Sequence, residues 1–171
     1  AGAESVLGID LAEKSLKVAL LHALESQCTN LQYRCVSAEA LSGEQPGAYD
    51  IVTCMEMIEH VPDPASIVAA CATLVKPGGW VFVSTIHRNA KAFALAIVAA
   101  EYVLNLLPRG THEYAKLVKP SELARHCRAA GLETRQIKGL QHNPLTQRYW
   151  LDDDPSVNYL VATQKPKRDV P

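Results

Sequence analysis

Two acidic residues and a histidine stand close together in the sequence, at Glu56, Glu59 and His60. On a helical turn, residues three and four positions apart lie on one face, so both carboxylates and the imidazole can converge there. Two carboxylates with one nitrogen suit a hard divalent ion such as Mg²⁺ better than they suit zinc. The segment is therefore compatible with a divalent metal site, but the pattern alone favours two solvated loop acids beside a histidine that caps or packs.

A further acidic residue, Asp10, directly follows the short apolar run at residues 6–9. An acid at the carboxyl end of an early strand can accept hydrogen bonds from the ribose hydroxyls of a nucleotide cofactor. An N-cap for the helix that follows is the other interpretation. In nucleotide-binding folds the glycine-rich turn lies about 20 residues before such an acid. The nucleotide interpretation therefore places this turn ahead of residue 1.

Composition limits the class of protein that carries these residues. The chain has 171 residues, 48% of them hydrophobic, which is enough for one domain with a substantial core. Lys and Arg number 17 against 18 Asp and Glu, so the net charge of −1 provides no general attraction for nucleic acid. The five cysteines have no Cys-x-x-Cys spacing, which argues against both a disulfide scaffold and a zinc site.

The hydrophobic pattern alternates strands with helices. Apolar runs predict strands at residues 6–9, 31–36, 49–55 and 80–86, and two later β segments at about 133–138 and 157–163. Helical spacing predicts an amphipathic helix with Leu16, Leu20 and Leu24 on its stripe, a second helix that begins at Asp63-Pro64, and a third at residues 121–130. Strands that alternate with crossover helices indicate an open parallel α/β sheet.

A nearly continuous apolar stretch begins at Ala92 and ends at Leu107. It is too short to span a bilayer comfortably, since a helical span needs about 20 residues. One interpretation is a buried helix that forms a lid. The other is an interfacial helix that dips into a membrane to meet a substrate with an apolar tail.

Four segments carry a resemblance to a known family: residues 53–64 (TCMEMIEHVPDP), 76–79 (KPGG), 109–112 (RGTH) and 139–144 (GLQHNP). The strand at residues 49–55 and the Lys-Pro-Gly-Gly turn resemble those of the class I S-adenosylmethionine-dependent methyltransferases. With the remaining segments, the chain is similar to the O-methyltransferase family of ubiquinone biosynthesis. The resemblance runs from residue 6 to residue 164.

This resemblance implies an α/β fold with the Rossmann-like parallel sheet of class I methyltransferases and an antiparallel strand near the carboxyl terminus. It also implies that Asp10 binds the ribose of S-adenosylmethionine, that Met55 lines the adenosyl pocket and that Ala38 lies where the adenine is contacted. The family's first strand and glycine-rich loop have no counterpart in the sequence. Residues 1–171 are thus expected to form a single methyltransferase domain that lacks its amino-terminal portion.

The implied activity is O-methylation of catechol-type polyprenyl intermediates in ubiquinone biosynthesis, at an early polyprenyl-hydroxyphenol step and a late demethylubiquinol step. Glu56 and His60 are the catalytic candidates, because a nearby base or a bound cation favours the nucleophilic phenolate. Resemblance to eukaryotic relatives implies Mg²⁺ at Glu56, Glu59 and His60.

The implied partners are a polyprenyl catechol, a membrane surface that meets the apolar stretch, and other enzymes of ubiquinone synthesis, with no nucleic acid. The expected location is the cytoplasm, peripheral to the inner membrane. Two alternatives stay open: another small-molecule class I methyltransferase, and a non-catalytic module that kept the sheet. Liposome binding by the apolar stretch bears on the first alternative, and binding of S-adenosylhomocysteine bears on the second.

Overall fold

The computed structural model describes residues 2–92, 114–143 and 146–167. They belong to two compact units, Ala1–Gln45 and Pro46–Pro171. The first unit contains β1 (Val6–Asp10), α1 (Glu13–Glu25), β2 (Leu31–Cys35) and α2 (Ala38–Glu44). The second contains β3 (Tyr49–Met55), α3 (Pro64–Leu74), β4 (Val75–Ile86), the single turn α4 (Ala90–Ala92), a 3-10 turn (Tyr114–Lys116), α5 (Pro120–Ala129), β5 (Glu133–Asn143), β6 (Arg148–Asp152) and β7 (Asn158–Gln164).

The first unit pairs β1 with β2 in parallel along the full length of both strands. α1 connects the two strands, as the sequence predicts. Of the α1 residues only Ala23 is buried, whereas Leu20 and Leu24 are 50% and 67% exposed. The expected apolar stripe is thus mostly uncovered within this unit, because a two-stranded sheet offers little apolar surface to a helix of this length.

The second unit is built on a five-stranded sheet in the order β3-β4-β7-β5-β6. β3 and β4 are parallel, and the other neighbouring pairs are antiparallel. This mixed sheet confirms the predicted class I arrangement with an antiparallel strand near the carboxyl terminus. In the described part of the chain β1 and β3 are edge strands of their own sheets. β6 is not predicted, because five residues with a charge at each end give no clear alternation.

α3 begins where the sequence predicts it. The Asp63 Oδ1 atom accepts a hydrogen bond from the Ala65 backbone N–H at 2.9 Å, and Pro64 occupies the first turn. α3 packs against β3, β4 and α5, and α5 packs against β5 and β7. These contacts form the core of the second unit, whose side chains of 1% exposure or less include Val68, Val75, Val81, Val83, Leu123, Tyr159 and Val161.

The Lys-Pro-Gly-Gly turn lies within β4 rather than before it. Gly78 has a φ of +82°, in the left-handed region that favours glycine. At Gly79 a Cβ atom would lie 2.7 Å from the Asp50 carbonyl oxygen, so a side chain there would push β3 and β4 apart. The close approach sets the register that brings Met55 opposite Ser84, at the carboxyl ends of both strands.

Lys165 closes the carboxyl end of α3. Its Nζ atom donates hydrogen bonds to the carbonyl oxygens of Ala72 (2.6 Å) and Val75 (3.0 Å). Lys165→Met is expected to lower the free energy of unfolding by about 1–2 kcal/mol, because charged hydrogen bonds to the last turn are lost. The control Lys76→Met removes an exposed ion pair with Asp50 and should cost less than about 0.5 kcal/mol. Urea denaturation of both variants tests this, and equal losses would contradict it.

Among the described residues, no helix combines the length and the apolarity needed to cross a bilayer. The apolar stretch that ends at Leu107 lies outside the described residues except at its start. There Ala92 is buried in a small cluster with Ile86 and Leu117. The lid and membrane interpretations of this stretch therefore both stay predictions.

Candidate active site

The carboxyl end of β3 carries a strained turn. Met55, the last residue of the strand, is 47% exposed. Glu56 follows it with a φ of +50°, in the left-handed region that a residue with a Cβ rarely adopts. The Glu56 backbone N–H donates to both the carbonyl oxygen and the Oγ atom of Ser84, each at 3.1 Å. Strain of this kind is characteristic of functional sites, and ligands of open α/β sheets bind at this edge.

The Glu56 carboxylate is held at both oxygens. Oε1 accepts a hydrogen bond from Ser84 Oγ at 2.7 Å, and Oε2 accepts one from Asn158 Nδ2 at 3.4 Å. Ser84 is 1% exposed, whereas Glu56 as a residue is exposed. The two hydrogen bonds fix the orientation of the carboxylate. The arrangement therefore presents an oriented proton acceptor at the surface of the sheet edge.

Glu59 lies in a different environment. It is 2% exposed, and its Oε2 atom accepts a hydrogen bond from Thr85 Oγ1 at 2.8 Å. Its Oε1 atom has no hydrogen-bond partner among the residues that the structure describes. A buried carboxylate with one satisfied oxygen depends strongly on the partner that it has.

The two carboxylates do not share one site. Their partners Ser84 and Thr85 are consecutive residues of β4, and consecutive strand side chains point to opposite faces of the sheet. The His60 side chain is exposed. No group of three His, Cys, Asp or Glu side chains within the described ranges could hold a metal ion. The donor set predicted for Mg²⁺ at Glu56, Glu59 and His60 is therefore not assembled in this structure.

In the first unit, Asp10 lies at the carboxyl end of β1 and is exposed. Its Oδ1 atom accepts a hydrogen bond from the Ala12 backbone N–H at 2.8 Å, and Ala12 is itself the N-cap of α1. Asp10 thus supports the entry to α1 without being its cap. Within the described residues its Oδ2 atom accepts no hydrogen bond, so one oxygen remains for a ligand hydroxyl.

Ala38 is the first residue of α2, directly after β2 and its short connection. Ser37 caps this helix through a hydrogen bond from the Ala40 backbone N–H to Ser37 Oγ at 3.1 Å. Ala38 and Asp10 therefore lie near the carboxyl ends of the two paired strands of one unit, and Met55 lies at the corresponding end of a strand in the other. Their predicted contacts with a cofactor stay predictions.

Burial sets the acidity of the thiols in the second unit. The side chain of Cys71 and burial raise the pKa of the Cys54 thiol far above its usual range, and burial raises that of Cys127 to about 11. Cys28 and Cys35 are exposed. Because only accessible thiolates react, a disulfide reagent at pH 8 should label two cysteines in the folded chain and five in denaturant. More than two rapidly labelled cysteines in the folded chain would contradict this.

Two functional candidates, Ser84 and Asn158, are not found by the sequence reasoning. Ser84 and Thr85 are the only hydroxyl residues of an otherwise apolar strand segment, and they stand at its carboxyl end. That position is a usable signal, since polar side chains at this end of a sheet meet the ligand. No local sequence signal marks Asn158, because it and Glu56 are 102 positions apart in the sequence and are brought together by the antiparallel sheet.

Comparison with known proteins identifies the class to which this fold and site belong. A family model described as a methyltransferase domain matches residues 2–137, and the chain belongs to this methyltransferase family. It is similar to the ubiquinone biosynthesis O-methyltransferases of Albidiferax ferrireducens and Leptothrix cholodnii, each 69% identical over 160 residues. These alignments cover 94% of the chain but 64% and 68% of the two relatives, so the chain spans about two thirds of their length.

Solved structures confirm the fold. A SAM-dependent methyltransferase from Methanosarcina mazei superposes with a TM-score of 0.67 at 18% identity, over 96% of this chain and 83% of that one. The [4+2]-cyclase SpnF gives the same TM-score at 15% identity, over 95% of this chain and 67% of that one. Because a cyclase shares the fold, the fold by itself does not define the reaction.

Proposed function

We propose that the protein containing this chain transfers a methyl group from S-adenosylmethionine to a hydroxyl of a polyprenyl catechol in ubiquinone biosynthesis, at the early and the late step alike. The names of the two bacterial relatives support O-methylation in ubiquinone biosynthesis. The observation that carries the chemistry is the Glu56 carboxylate, held by Ser84 and Asn158 beside the exposed end of β3.

S-adenosylmethionine, when bound, supplies an electrophilic methyl group on a sulfonium sulfur. The exposed Asp10 carboxylate, with one oxygen unpaired in the described part of the chain, suits the ribose hydroxyls. Met55 offers an exposed apolar surface for the adenosyl group, and Ala38 would contact the adenine. These side chains provide binding and orientation, which is most of what an in-line displacement needs from a protein.

Glu56 supplies the proton transfer in this proposal. Its carboxylate takes the proton of the catechol hydroxyl as that oxygen forms a bond to the methyl carbon. When bound, S-adenosylmethionine would keep the electron pair of the broken carbon–sulfur bond on its sulfur, which would become a neutral thioether. His60 is the second candidate for the proton, since its side chain is exposed and an imidazole nitrogen can accept a proton.

No step of the proposal passes through Mg²⁺. The family resemblance implies Mg²⁺ at Glu56, Glu59 and His60, but Ser84 and Thr85 hold the two carboxylates on opposite faces of β4. We therefore expect EDTA to leave the rate of methyl transfer unchanged. The proposal also includes a membrane contact at residues 92–107 and a cytoplasmic, peripheral location. It further includes association with other enzymes of the pathway.

A direct assay uses the chain extended at its amino end to the length of its relatives, methyl-labelled S-adenosylmethionine and a polyprenyl catechol. We expect label on one catechol oxygen, and none when both catechol hydroxyls are already methylated. Equal rates for a catechol without the tail would favour another small-molecule methyltransferase. Absence of transfer to every acceptor would favour the non-catalytic module.

A further inference from the structure

β6 is an edge strand of the second unit in the part of the chain that the structure describes. It pairs with β5 on one side and is the outermost strand of the five in this sheet. Its central residues Tyr149, Trp150 and Leu151 are 65%, 47% and 55% exposed. Natural edge strands are often protected from pairing by charged side chains, Pro or a bulge. β6 has no Lys or Pro and pairs with β5 without a register shift, and its two charged residues, Arg148 and Asp152, have opposite signs.

The sequence of β6 is complementary to itself. When two copies of Arg-Tyr-Trp-Leu-Asp run antiparallel about Trp150, Arg148 stands opposite Asp152, Tyr149 opposite Leu151 and Trp150 opposite Trp150. Opposite charges and aromatic or apolar pairs directly across strands are stabilising. Every cross-strand pair in this register is therefore favourable.

The side chains are placed for this pairing. Strand alternation puts Arg148, Trp150 and Asp152 on one face and Tyr149 with Leu151 on the other. Tyr149 is stacked on His142 of the neighbouring strand β5 with ring centroids 4.2 Å apart, which fixes the orientation of its ring. Asp152 accepts its hydrogen bonds at Oδ1, and within the described residues Oδ2 has none, so that oxygen can meet an arginine of a second copy.

We propose that β6 is a homodimer interface, at which β6 of a second copy of this chain pairs antiparallel about Trp150 and joins two five-stranded sheets into one. The charge pattern selects this occupant. A lipid surface would leave the outer backbone N–H and C=O groups of β6 without partners in an apolar medium, and would bring Asp152 towards it. A second copy satisfies both the backbone and the charges.

Charge reversal tests the register. In sedimentation equilibrium we expect the wild-type chain to dimerise, and Arg148→Asp or Asp152→Arg to weaken the dimer roughly tenfold, because each places two like-charge pairs across the interface. The double variant R148D/D152R restores opposite charges and should regain affinity to within about threefold of wild type. Leu21 is a similarly exposed apolar residue on α1, so Leu21→Glu should leave the dimer affinity unchanged.

Cross-linking tests the geometry in a second way. Residues directly opposite have Cβ atoms about 5 Å apart, so Trp150→Cys should form an intermolecular disulfide on mild oxidation. Tyr149→Cys should not rise above the background set by the exposed Cys28 and Cys35 of the parent chain. Three results would overturn the proposal. The parent chain could be monomeric, the dimer could be insensitive to all three charge variants, or the chain could be a monomer that binds anionic vesicles through Trp150.

Discussion

Glu56→Gln is expected to lower kcat for methyl transfer by about 10²- to 10³-fold, which is the range that a positioned general base contributes. The amide keeps the size of the side chain but cannot take the catechol proton. Affinity for S-adenosylhomocysteine should stay the same, because Glu56 is not assigned to the cofactor. Steady-state kinetics and a cofactor titration on the extended chain, side by side, measure both quantities.

Three further variants serve as comparisons for Glu56→Gln. Glu133 is an exposed acid paired with Arg135 on β5, and the substitution Glu133→Gln should leave kcat unchanged. Ser84→Ala removes a hydrogen bond to the carboxylate but not the carboxylate, so a loss of about tenfold is expected. If Glu56→Gln keeps the wild-type kcat and His60→Gln is inactive, His60 rather than Glu56 takes the proton.

The largest effect on stability is expected for Thr85→Val. The substitution leaves the buried Glu59 carboxylate without the hydroxyl donor at 2.8 Å from Oε2. Leaving a buried acceptor unpaired costs about 1–3 kcal/mol, and more when the group is charged. We therefore expect the free energy of unfolding to fall by about 2–3 kcal/mol, as measured by urea denaturation at neutral pH.

The matched control is the double substitution Glu59→Met with Thr85→Val. Replacing both partners by apolar groups of similar shape is often nearly neutral, so the double variant should recover most of the stability lost by Thr85→Val alone. The same variant asks whether Glu59 takes part in the reaction. Retained methyl transfer would assign Glu59 to the fold, whereas a stable but inactive double variant would return it to the site.

The order and type of most elements follow from local sequence alone. Asp63 and Pro64 mark the start of α3 because an acidic cap and a proline fit only the first turn of a helix. β3 is predicted with its observed bounds from its apolar run. The burial on both faces that such a run predicts is not found, since Cys54 is the only buried residue of this strand. In such cases the physical determinant lies within a few residues of the element.

The candidate site depends on contacts that local sequence does not contain. The spacing of Glu56 and Glu59 predicts that both carboxylates lie on one face, but this assumes a regular helical turn. The left-handed backbone at Glu56 breaks that geometry, and the alternation of Ser84 and Thr85 then separates the two acids. Asn158 joins the site only through the β4–β7 register, which depends on the whole sheet.

The most direct test of methyl-donor binding is a calorimetric titration of the extended chain with S-adenosylhomocysteine. We expect one saturable site, and Asp10→Ala should weaken binding by about tenfold to a hundredfold, because hydrogen bonds to a charged acceptor are lost. Asp153→Ala, which changes an aspartate whose side chain is 90% exposed, should leave the affinity unchanged. Absence of binding to the extended chain, or equal affinity in the Asp10→Ala variant, would contradict the account.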